Sequence, residues 1–269
     1  MNLLGFCYQY GIGTNANMKK AFELYQKTAD LGNVLGIGNL GYCYEKGIGT
    51  YVNMKKAFEL YQKAADLGNV FGISNLGRCY DIGIGTDVNE LKAFELYQIA
   101  SNLGSEFAQY NLAKMYEYGK GIKKDMDKAI YWYKKSAEQG NGKAQNKLYE
   151  FSNYLGYCYE NGIGTYVNLA KAFKLYQKAA YLGNVFGVSN LGRCYDIGIG
   201  TDVNKQKAFE LYQKAANLEN EFAQYNLALM YEYGNGIKID IGKAIYWYKK
   251  SAEQGYKGAQ NKLNELLNH

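Results

Sequence analysis

The sequence predicts an all-α solenoid of seven helix-pair repeats closed by a C-terminal capping helix. Three observations predict it. The first is a glycine turn at a fixed period: Gly11-Ile-Gly-Thr14, Gly47-Ile-Gly-Thr50, Gly83-Ile-Gly-Thr86, Gly119-Lys-Gly-Ile122, Gly162-Ile-Gly-Thr165, Gly198-Ile-Gly-Thr201 and Gly234-Asn-Gly-Ile237, spaced by 36, 36, 36, 43, 36 and 36 residues. The second is a capping residue six positions after each turn begins: Asn17, Asn53, Asn89, Asp125, Asn168, Asn204 and Asp240. The third is helical periodicity on both sides of each turn. A period in this range means supersecondary units that stack on their neighbours and share one elongated core.

The elements follow in order within each repeat. In residues 36–47, Gly36, Leu40, Cys43, Tyr44 and Gly47 fall on one helical face. Gly47 is read as the left-handed residue that ends this first helix, and Gly49 as the opening of the loop. Asn53 then offers its side chain to the orphan amides of the second helix, a cap worth about 1 kcal/mol. That helix carries Ala57, Phe58, Leu60, Tyr61, Ala64, Ala65 and Leu67, apolar around much of its girth, so it must be covered on more than one side. Gly68 ends it, as Gly32, Gly104, Gly140, Gly183 and Gly255 end its counterparts; Glu219 takes that place in repeat six, where a strained or frayed end is expected. Small residues at Gly5, Gly41, Gly77, Ala113, Gly156, Gly192 and Ala228 permit close helix approach.

The one irregular spacing marks a duplication. Residues 40–150 align with 155–265 at a constant offset of 115, and Ser74–Asn89 is identical to Ser189–Asn204. No Gly or Pro interrupts 143–155, so the seven extra residues read as nearly two added helical turns. The expected organisation is one solenoid over 1–269. It comprises a first block over 1–142 (repeats 1–4), a lengthened junction helix over 143–160, and a second block over 161–269. The terminal cap covers 257–268, with Leu263, Leu266 and Leu267 packing inward. Met1 falls inside the first helix of repeat one. The chain therefore reads either as a fragment of a longer protein or as an array without a normal cap, and an uncovered end allows end-to-end self-association.

Composition narrows the class. Proline is absent, and a net charge of +6 is spread through alternating Lys and Glu instead of a basic block, which argues against nucleic-acid binding. No apolar stretch approaches the roughly 18–20 residues of a membrane span, so no membrane partner is expected. The N-terminus lacks the pattern of a secretory signal, and a cytoplasmic location is expected.

These residues resemble the Sel-1-like repeat family, relatives of tetratricopeptide repeats. Residues 108–140 carry the signature almost whole: Ala108, Leu112, Tyr116, Gly119, Gly121, Asp125, Lys128-Ala129, Trp132-Tyr133, Lys135, Ala137 and Gly140. The resemblance implies right-handed α/α superhelical arrays that act as adaptors and scaffolds. It implies, as the main expectation, a non-catalytic scaffold binding a protein or peptide on its concave face. The alternative it implies is a regulatory or targeting module of an enzyme complex of the kinase, chitin-synthase-regulator or ubiquitin-ligase type.

Other constellations dissolve under the same period. Cys7, Cys43, Cys79, Cys158 and Cys194 each lie four residues before a glycine turn, and Met115 and Met230 take that place elsewhere. A position that exchanges Cys for Met wants an adaptable apolar side chain. Equivalent positions on stacked repeats lie on the order of 10 Å apart, beyond the about 7 Å a disulfide spans. The cysteine-rich relatives that the chain resembles pair two cysteines within a repeat, a pattern absent here. Gly36-Ile-Gly-Asn-Leu-Gly41 copies a dinucleotide fingerprint without the strand that motif requires. His269 is the only histidine, no Ser-x-x-Lys occurs, and the acids mostly recur at positions read as solvent-facing. No catalytic residue, cofactor or metal ligand is expected.

Tyrosines at two fixed columns, those of Tyr44 and Tyr61, read as framework. Tyr42, Tyr118, Tyr157 and Tyr233 read as exposed anchors. On the first helix of each repeat, the face opposite the buried one carries Asn39, Asn75, Asn111, Asn190 and Asn226. Beside them runs a varied column including Tyr42, Arg78, Lys114, Tyr157 and Arg193. Two readings of the amides stand: they bind peptide backbone while the varied column confers specificity, or they fix hydrogen bonds between repeats. Arg78 and Arg193 become duplicate patches for a bivalent or repetitive partner.

Overall fold

The computed structural model describes residues 1–267, and of Leu267 the backbone alone. The end of the expected cap at 268 and the inward packing of Leu267 lie outside the described residues. Among the described residues every regular element is an α-helix: α1 (Asn2–Tyr10), α2 (Met18–Asp30), α3 (Val34–Lys46), α4 (Met54–Asp66), α5 (Val70–Ile82), α6 (Glu90–Asn102), α7 (Glu106–Tyr118), α8 (Met126–Glu138), α9 (Gly142–Asn161), α10 (Leu169–Tyr181), α11 (Val185–Ile197), α12 (Lys205–Asn217), α13 (Glu221–Tyr233), α14 (Ile241–Glu253) and α15 (Lys257–Leu267). This is the expected all-α solenoid of seven helix pairs followed by a closing helix. The chain forms two compact units, one from Met1 to Gln145 and one from Asn146 onward.

The local signals act where the sequence places them. Each second helix starts at its Asn or Asp, whose side chain accepts from the amide three residues on, as in Asn53 with Lys56 and Asn168 with Lys171 at 2.9 Å. A second set of caps opens the first helices, where Asn33, Asn69, Ser105, Asn184 and Asn220 accept from the amide three residues on. Gly49 shows why the turn is doubled in glycine. It holds φ 67°, and a Cβ there would sit 2.2 Å from the Met18 carbonyl oxygen, so the turn presses on the preceding repeat. At the far end of the sixth pair, Glu219 is, among the described residues, the one non-glycine residue with positive φ, at 62°. Helix α12 keeps its thirteen residues, so the expected fault appears as strain and not as fraying.

In the first unit, Tyr25, Tyr61, Tyr97 and Tyr133 are no more than 1% exposed. A Cβ on Gly41 would come within 3.0 Å of the Tyr61 ring, so the small column makes room for the tyrosine column. Phe22 meets Tyr44, Phe58 meets Tyr80 and Phe94 meets Tyr116 edge to face, each pair joining consecutive repeats at 5.5 Å. Such pairs add about 0.5–1.5 kcal/mol beyond area burial. Lysines from the second helices also stand over these rings, as Lys56 does over Tyr44 at 5.0 Å.

The second unit repeats the scheme with Tyr176, Tyr212 and Tyr248 buried, and with Phe173–Tyr195 and Phe209–Tyr231 edge to face. Leu263 and Leu266 of α15 pack on its core. The cysteines are free thiols: Cys43, Cys79 and Cys194 have no solvent exposure, Cys158 is buried and Cys7 half-buried. Burial pushes the Cys43, Cys79 and Cys194 thiols up to about 12.

Candidate ligand-binding face

The first helix of each repeat buries one face and leaves a stripe at positions i, i+4, i+7 and i+11. On α5 this stripe is Phe71, Asn75, Arg78 and Ile82, of which Asn75, against expectation, is buried; on α7 it is Phe107, Asn111, Lys114 and Tyr118; on α3 it is Leu35, Asn39, Tyr42 and Lys46. In the second unit α11 carries Phe186, Asn190, Arg193 and Ile197, and α13 carries Phe222, Asn226, Leu229 and Tyr233. The stripe thus runs aromatic or leucine, amide, varied residue, then mostly large apolar, and it begins one turn before the positions singled out from sequence.

A groove of about 600 Å³ opens on the first unit's stripe, lined among others by Tyr42, Phe71, Asn75, Arg78, Phe107 and Gln139. Its counterpart in the second unit, about 330 Å³, is lined by Tyr157, Glu160, Phe186, Asn190, Arg193 and Phe222 among others. Five of these pairs stand at the duplication offset: Tyr42 with Tyr157, Phe71 with Phe186, Asn75 with Asn190, Arg78 with Arg193 and Phe107 with Phe222.

The arginines are held from below. Glu45, its side chain 3% exposed, accepts from Arg78 Nη2, from Lys46 Nζ at 2.6 Å and from the Tyr61 hydroxyl at 2.9 Å. Burial pushes the Glu45 carboxyl up, but the hydrogen bonds from Lys46 and Arg78, and the charge of Arg78, outweigh it and hold it below its ordinary value. Asn75 Oδ1 accepts a further bond from Arg78 Nη2 at 3.0 Å. In the second unit Glu160 accepts from Arg193 at 2.6 Å and from the Tyr176 hydroxyl at 2.7 Å. Acids are expected mostly at solvent-facing positions, and those of this column depart from that. Gln9, Glu45, Glu117, Glu160 and Glu232 each stand sixteen residues before a buried tyrosine and accept its hydroxyl. That constant spacing is the sequence signal that could have found them.

The amides are already engaged. Asn39 Nδ2 donates to Asn2 at 3.2 Å and Asn190 Nδ2 to Asn153 at 3.0 Å, both across a repeat boundary. Asn75 and Asn111 donate to the Phe71 and Phe107 carbonyls of their own helices at 2.9 Å. Asn226 is half-buried on α13. Tyr118, Tyr157 and Tyr233 are about half exposed, at 55%, 48% and 54%. Tyr42 differs from the expectation: it is half-buried, with Lys46 Nζ 6.0 Å from its ring. Tyr233 is engaged as well, its hydroxyl accepting from Lys262 of α15 at 2.8 Å. Lys114 lies 5.9 Å from the Tyr110 ring. Phe71, Phe107, Phe186 and Phe222, absent from the sequence-based set, are 39–51% exposed and line the grooves. Their recurrence four residues before each amide was the available signal.

A family model described as Sel1 repeat matches residues 1–33, 36–69, 71–105, 107–141, 152–184, 187–220 and 222–256. A search of the curated proteins finds no match. Among solved structures, the chain is similar to c5321, a protective antigen of uropathogenic Escherichia coli strains displaying an SLR fold, with 31% identity and a TM-score of 0.79. The match covers 98% of this chain and 55% of that one, so the chain spans about half the length of the antigen. It is also similar to a Sel1 repeat protein from Oxalobacter formigenes, with 27% identity and a TM-score of 0.64 over 98% of this chain and 75% of the other.

Proposed function

The chain belongs to the Sel1 repeat family, whose members are in general protein-interaction scaffolds, and on that premise we propose that it is a non-catalytic adaptor that binds a protein or peptide along the exposed stripe of its first helices. The observation that carries this reading is the recurrence of a groove at equivalent positions of both units, each framed by two phenylalanines and a tethered arginine. Exposed aromatics and arginine in a recess are the residue types that anchor interfaces. A tethered guanidinium also loses little freedom when a ligand arrives. Among the described residues no helix is long and apolar enough to cross a membrane, and a cytoplasmic adaptor fits that observation.

Photo-crosslinking side chains test the reading. They are installed at Tyr118 and Tyr157 on first helices, and at Tyr131 and Tyr181 on second helices, all at least 48% exposed. The same partner is expected to crosslink from the first pair and not from the second. Crosslinking confined to Tyr131 and Tyr181 would reject the assigned face.

A further inference from the structure

We propose that the two grooves are unequal sites for one kind of partner segment, a short peptide bearing an apolar side chain next to a carboxylate, with the first unit's groove the tighter. The inference rests on the binding-face reading above and adds the chemistry of the ligand.

Charge placement on α3, α5 and α7 supplies the argument. Of the acids on these helices, Glu45 is 3% exposed at the side chain, Asp81 11%, and Glu117 is 8% exposed with the Tyr133 hydroxyl bound to it. The cations stand above them: Lys46 is 46% exposed, Arg78 20%, and Lys114 is half-buried. Glu106 is the exposed acid that lines the groove. Apart from Glu106, the carboxylates thus sit beneath the surface and the ammonium and guanidinium groups above them, so that a ligand meets the cations first. Between these cations the groove wall is apolar, with Val70, Phe71 and Phe107. A leucine- or phenylalanine-type side chain fits between the two phenyl rings, and an adjacent Asp or Glu meets Arg78 and Lys46.

The second unit keeps the apolar part and loses charge. Phe186 and Phe222 replace Phe71 and Phe107, and Arg193 replaces Arg78, but Asn161 stands where Lys46 stood and Leu229 where Lys114 stood. The same peptide therefore has the same clamp there with fewer cations, in a groove of about 330 Å³ instead of about 600 Å³.

The test pans a random dodecapeptide phage library on the full chain, then titrates synthetic copies of the enriched peptides and their Asp→Asn and Glu→Gln versions. Enriched peptides are expected to place Asp or Glu beside Leu, Ile or Phe. They should bind two sites per chain, and lose about tenfold in affinity at the tighter site when the acid is neutralised. Phe71→Asp should abolish the tighter site and Phe186→Asp the weaker, with helix content unchanged by circular dichroism. Lys46→Glu, at an exposed position, gives a second route should Phe71→Asp not fold: it should weaken the tighter site and leave the other unchanged. Neutral or basic peptides whose binding is lost in Phe71→Asp overturn the acidic preference and leave the binding face standing. A single site, or two sites indifferent to Lys46→Glu, also overturns the inference. No enrichment, or binding that survives both phenylalanine variants, overturns the inference and the binding face together.

Discussion

An aspartate replaces the Gln or Glu sixteen residues before two of the seven equivalent tyrosines: Tyr212, whose Asp196 lies within hydrogen-bond reach, and Tyr97. Their counterparts Tyr25, Tyr61, Tyr133, Tyr176 and Tyr248 donate to a Gln or Glu sixteen residues earlier. At that distance from Tyr97 stands Asp81, and the Tyr97 hydroxyl is buried without a hydrogen-bond partner. The aspartate instead reaches Lys120 at 3.3 Å. An unpaired buried hydroxyl costs about 1–3 kcal/mol. Asp81→Glu extends the carboxylate toward the hydroxyl at unchanged charge, and is expected to stabilise the protein by about 1 kcal/mol in denaturant unfolding. In Asp81-containing protein Tyr97→Phe should cost almost nothing, whereas Tyr61→Phe should cost about 1–3 kcal/mol by leaving Glu45 one donor short. Equal losses at Tyr97 and Tyr61 would show that the hydroxyl of Tyr97 is satisfied after all.

At the scale of the element, Glu219 isolates what glycine does at the end of a second helix. A Cβ built on Gly32, Gly68, Gly104, Gly140, Gly183 or Gly255 meets nothing within 4 Å, so these positions ask for a positive φ and not for space. Glu219 adopts φ 62° regardless. For an L-residue that conformation costs about 1–2 kcal/mol, partly offset by the greater unfolded-state freedom of glycine. Glu219→Gly is therefore expected to stabilise by about 1 kcal/mol, and Gly68→Glu to destabilise by a similar amount. Thermal melts of the two variants check the pair, and shifts of the same sign would refute the account. The helix ends were legible in the sequence because caps and left-handed residues act on backbone within the same turn. Such local rules do not reach the buried acids, because Glu45 acquires its place from Tyr61 sixteen residues on and Arg78 thirty-three residues on. Nor could spacing reveal that the Asn39 amide is spent on Asn2, since a face known to be exposed does not state which of its groups already have partners.

Across the whole molecule the period turns single-residue chemistry into a collective property. Burial raises the phenol pKa in Tyr25 to about 12 and well above its ordinary value in Tyr61, Tyr97, Tyr133, Tyr176, Tyr212 and Tyr248. The three deeply buried thiols rise to about 12 for the same reason. A group whose folded pKa is raised stays protonated in the native state after its unfolded counterpart has ionised. Its stabilisation is thus complete below the unfolded pKa, about 8.5 for thiols and about 10 for phenols, and is lost as pH rises from there through the folded value. Each such group removes about 1.4 kcal/mol per pH unit once the unfolded state ionises. Ten of them together remove on the order of 10 kcal/mol per unit, as much as the roughly 5–15 kcal/mol that holds a typical protein folded. The array is therefore expected to unfold abruptly between about pH 10 and pH 12. Tyrosinate absorbance followed alongside helical circular dichroism would show it: the share owed to the seven fully buried tyrosines among 29 should appear only as the helices are lost. Complete ionisation with helix content intact would mean that water reaches the column in the native state, and that these rings are not the closed spine of the repeats.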